Sequence, residues 1–208
     1  MSGADLSETQ LHEIVRRVVQ RTLGAPVSAA PVSTGPANNA REAADAPRAG
    51  QGPESGVVAL GADHGGYALK ETLKAYLTEL GYRVVDCGTH STEPVDYPDL
   101  AYAVARLVSG GQAWRGIVVD GAGIGSAMAA NKVPGVRATL CYDHATAVNS
   151  REHNDANVLT LGAGLIGPNL AKQIAQTWLT TAFGGGRHQR RVDKINEIEQ
   201  RFSKDRAA

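Results

Sequence analysis

The chain has 208 residues, with 21 Lys+Arg balancing 21 Asp+Glu, 42% hydrophobic residues and two cysteines. Zero net charge argues against a nucleic acid or an anionic membrane as partner, and no apolar run approaches the roughly 18 residues of a membrane span. Cys87 and Cys141 supply no disulfide framework, so the composition describes a soluble protein of a reducing, cytoplasmic compartment.

Residues 1–24 form a separate unit. Leu11, Ile14, Val15, Val18, Val19 and Leu23 recur at helical spacing and place one apolar stripe on a short helix, with Arg16, Arg17 and Arg21 on the other face. Ser7 and Gln10 have the spacing of a capping box, and Gly24 is a stop. An isolated helix of about 17 residues is marginal in water and needs a surface for its stripe. Residues 25–55 are rich in Ala, Pro, Gly, Ser and Asn and nearly free of large apolar side chains, the composition of a flexible linker. A helix on such a tether is better placed to meet another molecule than its own body.

The globular part, 56–208, alternates strand and helix patterns. Strands are expected at Val57–Leu60, Tyr82–Asp86, Gly116–Val119, Ala138–Tyr142 and Val158–Leu161. Helices are expected up to Leu80, from Asp99 to Ser109, from Ser126 to Asn131, from His144 to Glu152 and from Pro168 to Thr181. Val192, Ile195, Ile198 and Phe202 stripe a final helix. This rhythm predicts a Rossmann-like three-layer α/β/α fold with a five-stranded parallel sheet. Ligands of such sheets bind at the carboxyl ends of strands, and Asp63, His64, Asp120, His153 and Asn154 all lie in or soon after the segments leaving those ends.

The stretch Val118–Lys132 organises the rest. Asp120 closes a strand and is followed by Gly121, Gly123 and Gly125 before a helix-forming run. Such a turn gathers backbone N–H groups that suit an anion, although the glycines alone equally suit an ordinary tight turn. Arg187 and Arg191, at i and i+4, can present two guanidinium forks to a phosphate.

Four segments together carry a family resemblance. GADHGGYALK at 61–70, the glycine loop with AANK at 129–132, REHNDANVL at 151–159 and GGRHQRRV at 185–192 resemble ribose-5-phosphate isomerase type B, a family that includes the galactose-6-phosphate isomerase subunits. The resemblance spans residues 57 to about 202 and implies interconversion of an aldose phosphate and a ketose phosphate through an enediolate, with no metal or nucleotide cofactor. It implies that His153 opens the sugar ring, that Asn154 hydrogen-bonds the substrate, that Asp63 and His64 contact the open chain and phosphate, that Gly121, Gly123 and Gly125 cradle the oxyanion, and that Arg187 and Arg191 clamp the phosphate. It also implies a homodimer or tetramer with active sites shared between subunits. No chemistry is assigned to His188.

The departure lies at the centre. Many relatives place a cysteine base where this chain has Asp120, and another branch uses a glutamate where it has Ser126. Asp120 then either replaces the cysteine as the enediol base, or the domain has become a sugar-phosphate binder or structural cargo protein. The first is favoured because every other role is filled. Ribose 5-phosphate is the default substrate, with a six-carbon sugar phosphate as the alternative. The N-terminal unit resembles the encapsulation peptides of bacterial microcompartment cargo, which implies shell proteins as partners through residues 7–23.

Overall fold

The computed structural model describes residues 56–204, and the expected N-terminal helix and linker lie outside the described residues. Five parallel strands, β1 (Val57–Ala62), β2 (Arg83–Asp86), β3 (Arg115–Asp120), β4 (Ala138–Leu140) and β5 (Val158–Gly162), form one sheet in the order β2-β1-β3-β5-β4. Six helices connect or follow them: α1 (Tyr67–Glu79), α2 (Tyr97–Ser109), α3 (Ile124–Ala130), α4 (His144–Glu152), α5 (Pro168–Thr180) and α6 (Gln189–Lys204). The expected α/β fold is therefore the observed one, with strand and helix ends shifted by a few residues.

The strands are apolar on both faces because both faces are covered. Val58, Leu60 and Ala62 of β1 join Leu69, Leu73 and Leu77 of α1 and Ile174 and Trp178 of α5 in one core layer. Ala59 points the other way and joins Val104, Leu107 and Val108 of α2, with Val118 of β3. Strand alternation alone sends consecutive residues to the two layers.

Helix α6 buries its stripe only at its start. Val192 is 3% exposed, whereas Ile195, Ile198 and Phe202 are 45%, 55% and 69% exposed. Beside them runs a groove of about 1110 Å³ whose walls include Asn131, Arg137, Asn154, Ile195, Ile198 and Phe202.

Candidate active site

The first group of residues lies at the carboxyl edge of the sheet. Asp120 is the last residue of β3 and is 4% exposed. The chain then turns through Gly121, Ala122 and Gly123 into α3. Gly123 caps that helix at φ 77°, in the left-handed region, where a Cβ would also stand 2.5 Å from Leu140 Cδ1. This turn folds the loop around the carboxylate. Asp120 Oδ1 accepts from Ala122 N at 2.8 Å and from Gly123 N, and Oδ2 accepts from Ser126 N at 3.0 Å and Ser126 Oγ at 2.5 Å. Four donors meet the roughly four lone-pair sites of a carboxylate.

One expectation changes here. The Gly123 N–H, expected to cradle a substrate oxyanion, donates to Asp120 instead, because a carboxylate at this position reaches back onto its own loop. Gly125 keeps a steric role: Tyr97 packs against it so closely that a Cβ there would lie 2.5 Å from the ring Cζ. Sequence reasoning passed over Tyr97, whose only local signal is the adjacent Pro98 at the start of α2.

Asp63 and His64 leave β1 beside this loop. Asp63 N donates to Val119 O at 3.2 Å, tying it to β3, and its carboxylate Oδ1 accepts from Gly66 N at 2.8 Å. His64 is exposed, and its Nδ1 accepts from Val95 N at 3.3 Å. Asp63, His64, Asp120, Gly121, Gly123 and Gly125 thus gather at one edge, as expected.

The second group does not join them. Helix α4 starts after β4 with an Asp143–Thr146 capping box, and its nine residues carry the chain about 13 Å back. His153 and Asn154 therefore emerge at the amino edge, near the start of β5. Neighbouring contacts fix that position. Arg151 Nη1 donates to Ala156 O at 2.5 Å and Asp155 Oδ1 at 2.7 Å, Arg137 Nη2 pairs with Asp155 Oδ2 at 3.1 Å, and Gly116 at the start of β3 donates to Asn157 O at 3.0 Å. From Gly116 to Asp120 is four residues, or about 13 Å of strand. His153 and Asn154, expected in or soon after the segments leaving the carboxyl ends of strands, lie a full helix beyond the end of β4, at the opposite edge from Asp120.

At this edge His153 sits between two partners. Its Nδ1 lies 2.7 Å from Asn149 Nδ2, and its ring stacks on His188 with centroids 4.2 Å apart and planes within 4°. The segment before α6 is fastened by Gly184 N donating to Glu152 O at 2.9 Å. Arg187 Nε donates to His188 Nε2 at 3.4 Å, and Arg191 follows in the first turn of α6. Burial, then the neighbouring His153, Arg187 and Arg191, push the His188 imidazole below the usual histidine range, so it remains neutral beside them. His188, given no role from the sequence, is the ring on which His153 rests.

The doubly wound sheet thus holds a glycine-loop carboxylate at one edge and an imidazole with two arginines at the other, residue types suited to proton transfer and to binding an anion. Comparison with known proteins agrees. The family model described as Ribose/Galactose Isomerase matches residues 58–195. Ribose-5-phosphate isomerase B of Escherichia coli K12 is 47% identical over 144 residues, covering 69% of this chain and 97% of that protein. D-erythrulose-4-phosphate isomerase of Pectobacterium atrosepticum is 43% identical over 143 residues, covering 68% and 94%. The solved structure of Clostridium thermocellum ribose-5-phosphate isomerase B is 51% identical, with a TM-score of 0.69 and coverage of 70% and 99%. The chain belongs to the ribose/galactose isomerase family.

Proposed function

We propose that the protein interconverts ribose 5-phosphate and ribulose 5-phosphate, and that it does so as a homodimer or tetramer whose active sites are shared between copies. The separation of the two half-sites carries this reading. The carboxyl edge holds Asp63, His64, Asp120 and the glycine loop, and the amino edge of the same chain holds His153, Asn154, Arg187 and Arg191, about 13 Å of strand away. A two-fold arrangement that places one copy's amino edge on another's carboxyl edge completes two sites at once. Apolar surface supports it: Ile195, Ile198 and Phe202 stand exposed on α6, and Ile124 and Met128 on α3, Met128 being 65% exposed.

In such a shared site Arg187 and Arg191 hold the phosphate of the substrate, with His64 of the other copy beside it. His153 exchanges a proton with the ring oxygen, and Asn154 and Asp63 hydrogen-bond the opened chain. Asp120 then carries a proton between C2 and C1, as carboxylates do beside other carbonyls. Gly121 leaves the loop bare where the sugar approaches, since a Cβ there would meet nothing within 4 Å. Asp120→Asn should lower turnover on ribose 5-phosphate at least 10²-fold while leaving KM within a few-fold.

One observation favours a second reading, a sugar-phosphate binder without turnover: the Asp120 carboxylate already accepts four hydrogen bonds from its own loop, which occupy its lone pairs. The wild-type assay separates the two, since a binder gives saturable binding of the phosphate with no isomerisation.

We further propose that residues 7–23 recruit the enzyme to the inside of a microcompartment shell. The support is in the sequence: apolar residues at helical spacing over 7–23, which an isolated helix cannot bury by itself, followed by about 30 residues of linker composition. Deleting residues 1–55 should leave isomerase kinetics intact and abolish co-localisation with the shell. Retained co-localisation, or lost activity, would count against recruitment.

A further inference from the structure

We infer that Ser126 is the positioning residue for Asp120, donating to the carboxylate before proton transfer and accepting from the carboxylic acid after it. This inference rests on Asp120 being the enediol base.

Ser126 is fully buried, and its Oγ lies 2.5 Å from Asp120 Oδ2, the same oxygen that its own N–H reaches at 3.0 Å. It does not line the surface that a sugar can touch, so it acts through Asp120. The other donors, the N–H groups of Ala122, Gly123 and Ser126, are backbone. They can only donate, and the turn fixes them. A hydroxyl rotates and also accepts.

That difference matters when Asp120 takes up a proton. The C2–H bond of the aldose breaks, and its electron pair forms the C1–C2 double bond while O1 takes the negative charge. The proton passes to Oδ2. For Oδ2 to receive it, one of its lone pairs must be free, and only the Ser126 hydroxyl can turn away without moving the backbone. Once protonated, the carboxyl is a donor in a nearly dry site and requires an acceptor. Ser126 Oγ, at 2.5 Å, supplies it. The proton then returns to C1, O2 becomes the carbonyl as its proton moves to O1, and Ser126 resumes donation. The hydroxyl satisfies both protonation states of the base, which an alanine at this position cannot do.

The test is steady-state kinetics of the full-length protein on ribose 5-phosphate and on ribose 5-phosphate carrying deuterium at C2. Ser126→Ala should lower kcat about tenfold or more, keep KM within about twofold and enlarge the deuterium effect on kcat, because proton transfer becomes slower than the other steps. Ser126→Cys keeps the volume with a weaker donor and acceptor, and should fall between wild type and alanine. It also serves if the alanine variant does not fold. A kcat within twofold of wild type for Ser126→Ala overturns the inference, as does a loss carried by KM with no change in the deuterium effect. If Asp120→Asn retains turnover, the base assignment itself fails, a result separate from any obtained with Ser126.

Discussion

The rings of His153 and His188 lie face to face, 4.2 Å between centroids and 4° from parallel. His188 is held below the usual histidine range by burial and by the cations around it. A neutral ring stacked on His153 fixes its plane. The stack thereby links the turn before α6, which carries Arg187, to the end of α4.

If His153 opens the sugar ring, its contribution should vanish on a sugar with no ring to open. A four-carbon aldose phosphorylated at O4 has no hydroxyl left to close a five-membered ring. His153→Asn should therefore lose at least about 10²-fold in kcat/KM on ribose 5-phosphate. Its kcat/KM on erythrose 4-phosphate, if the wild type turns that sugar over, should change far less. Equal losses on the two sugars would assign His153 to another step.

The base assignment has a chemical signature in the thiols. Burial, aided by Asp86, pushes the Cys87 thiol up to about 12, and burial also raises Cys141. Thiols so protonated and covered are inert. Native enzyme should keep full activity after hours in iodoacetamide, and Asp120→Cys, where active, should be inactivated by it. Rapid inactivation of the wild type would place a cysteine in the chemistry.

Most of this fold was legible because the sheet is parallel and covered on both faces. Runs such as Val57–Leu60 and Val158–Leu161 are short, apolar and separated by helical patterns, which leaves few other architectures. The family segments likewise named Asp63, His64, His153, Arg187 and Arg191 without coordinates. What the sequence did not convey was direction. The nine residues of α4 carry His153 to the opposite edge from Asp120, and only topology reveals that. The partners of Asp120 were also hidden: the sequence marks Ser126 as the place of another branch's glutamate, but not that the loop curls to set its hydroxyl on the carboxylate. Tyr97 and His188 act through packing with residues far along the chain, which no local pattern records.

Acid should expose a buried charge network behind the site. Lys70, fully buried, places Nζ 2.7 Å from Asp86 Oδ1, and Lys74 Nζ lies 2.6 Å from Oδ2. Burial pushes the Asp86 carboxyl up, but hydrogen bonds from Lys70, Lys74 and Gly88 outweigh it and hold the group below its ordinary value of 3.8. A folded value below the unfolded one means that the stabilisation is complete above about pH 4 and is lost as pH falls through the folded value. Asp86→Asn should cost about 3 kcal/mol at pH 7 by urea unfolding, since it strips a partner from a buried lysine. It should also lose stability less steeply than wild type below pH 4. Parallel curves for the two proteins would remove Asp86 from the acid response.

The shared site is tested most directly by a hybrid of two inactive copies. Asp120→Asn and His153→Asn subunits, co-expressed with different tags and purified through both, form dimers with one mutation on each copy. If each site draws Asp120 from one copy and His153 from the other, one site carries both lesions and the second carries none. The hybrid should then recover about half the wild-type turnover per dimer, from homodimers that each have almost none. A hybrid as inactive as its parents would place Asp120 and His153 of the same chain in one site and contradict the account.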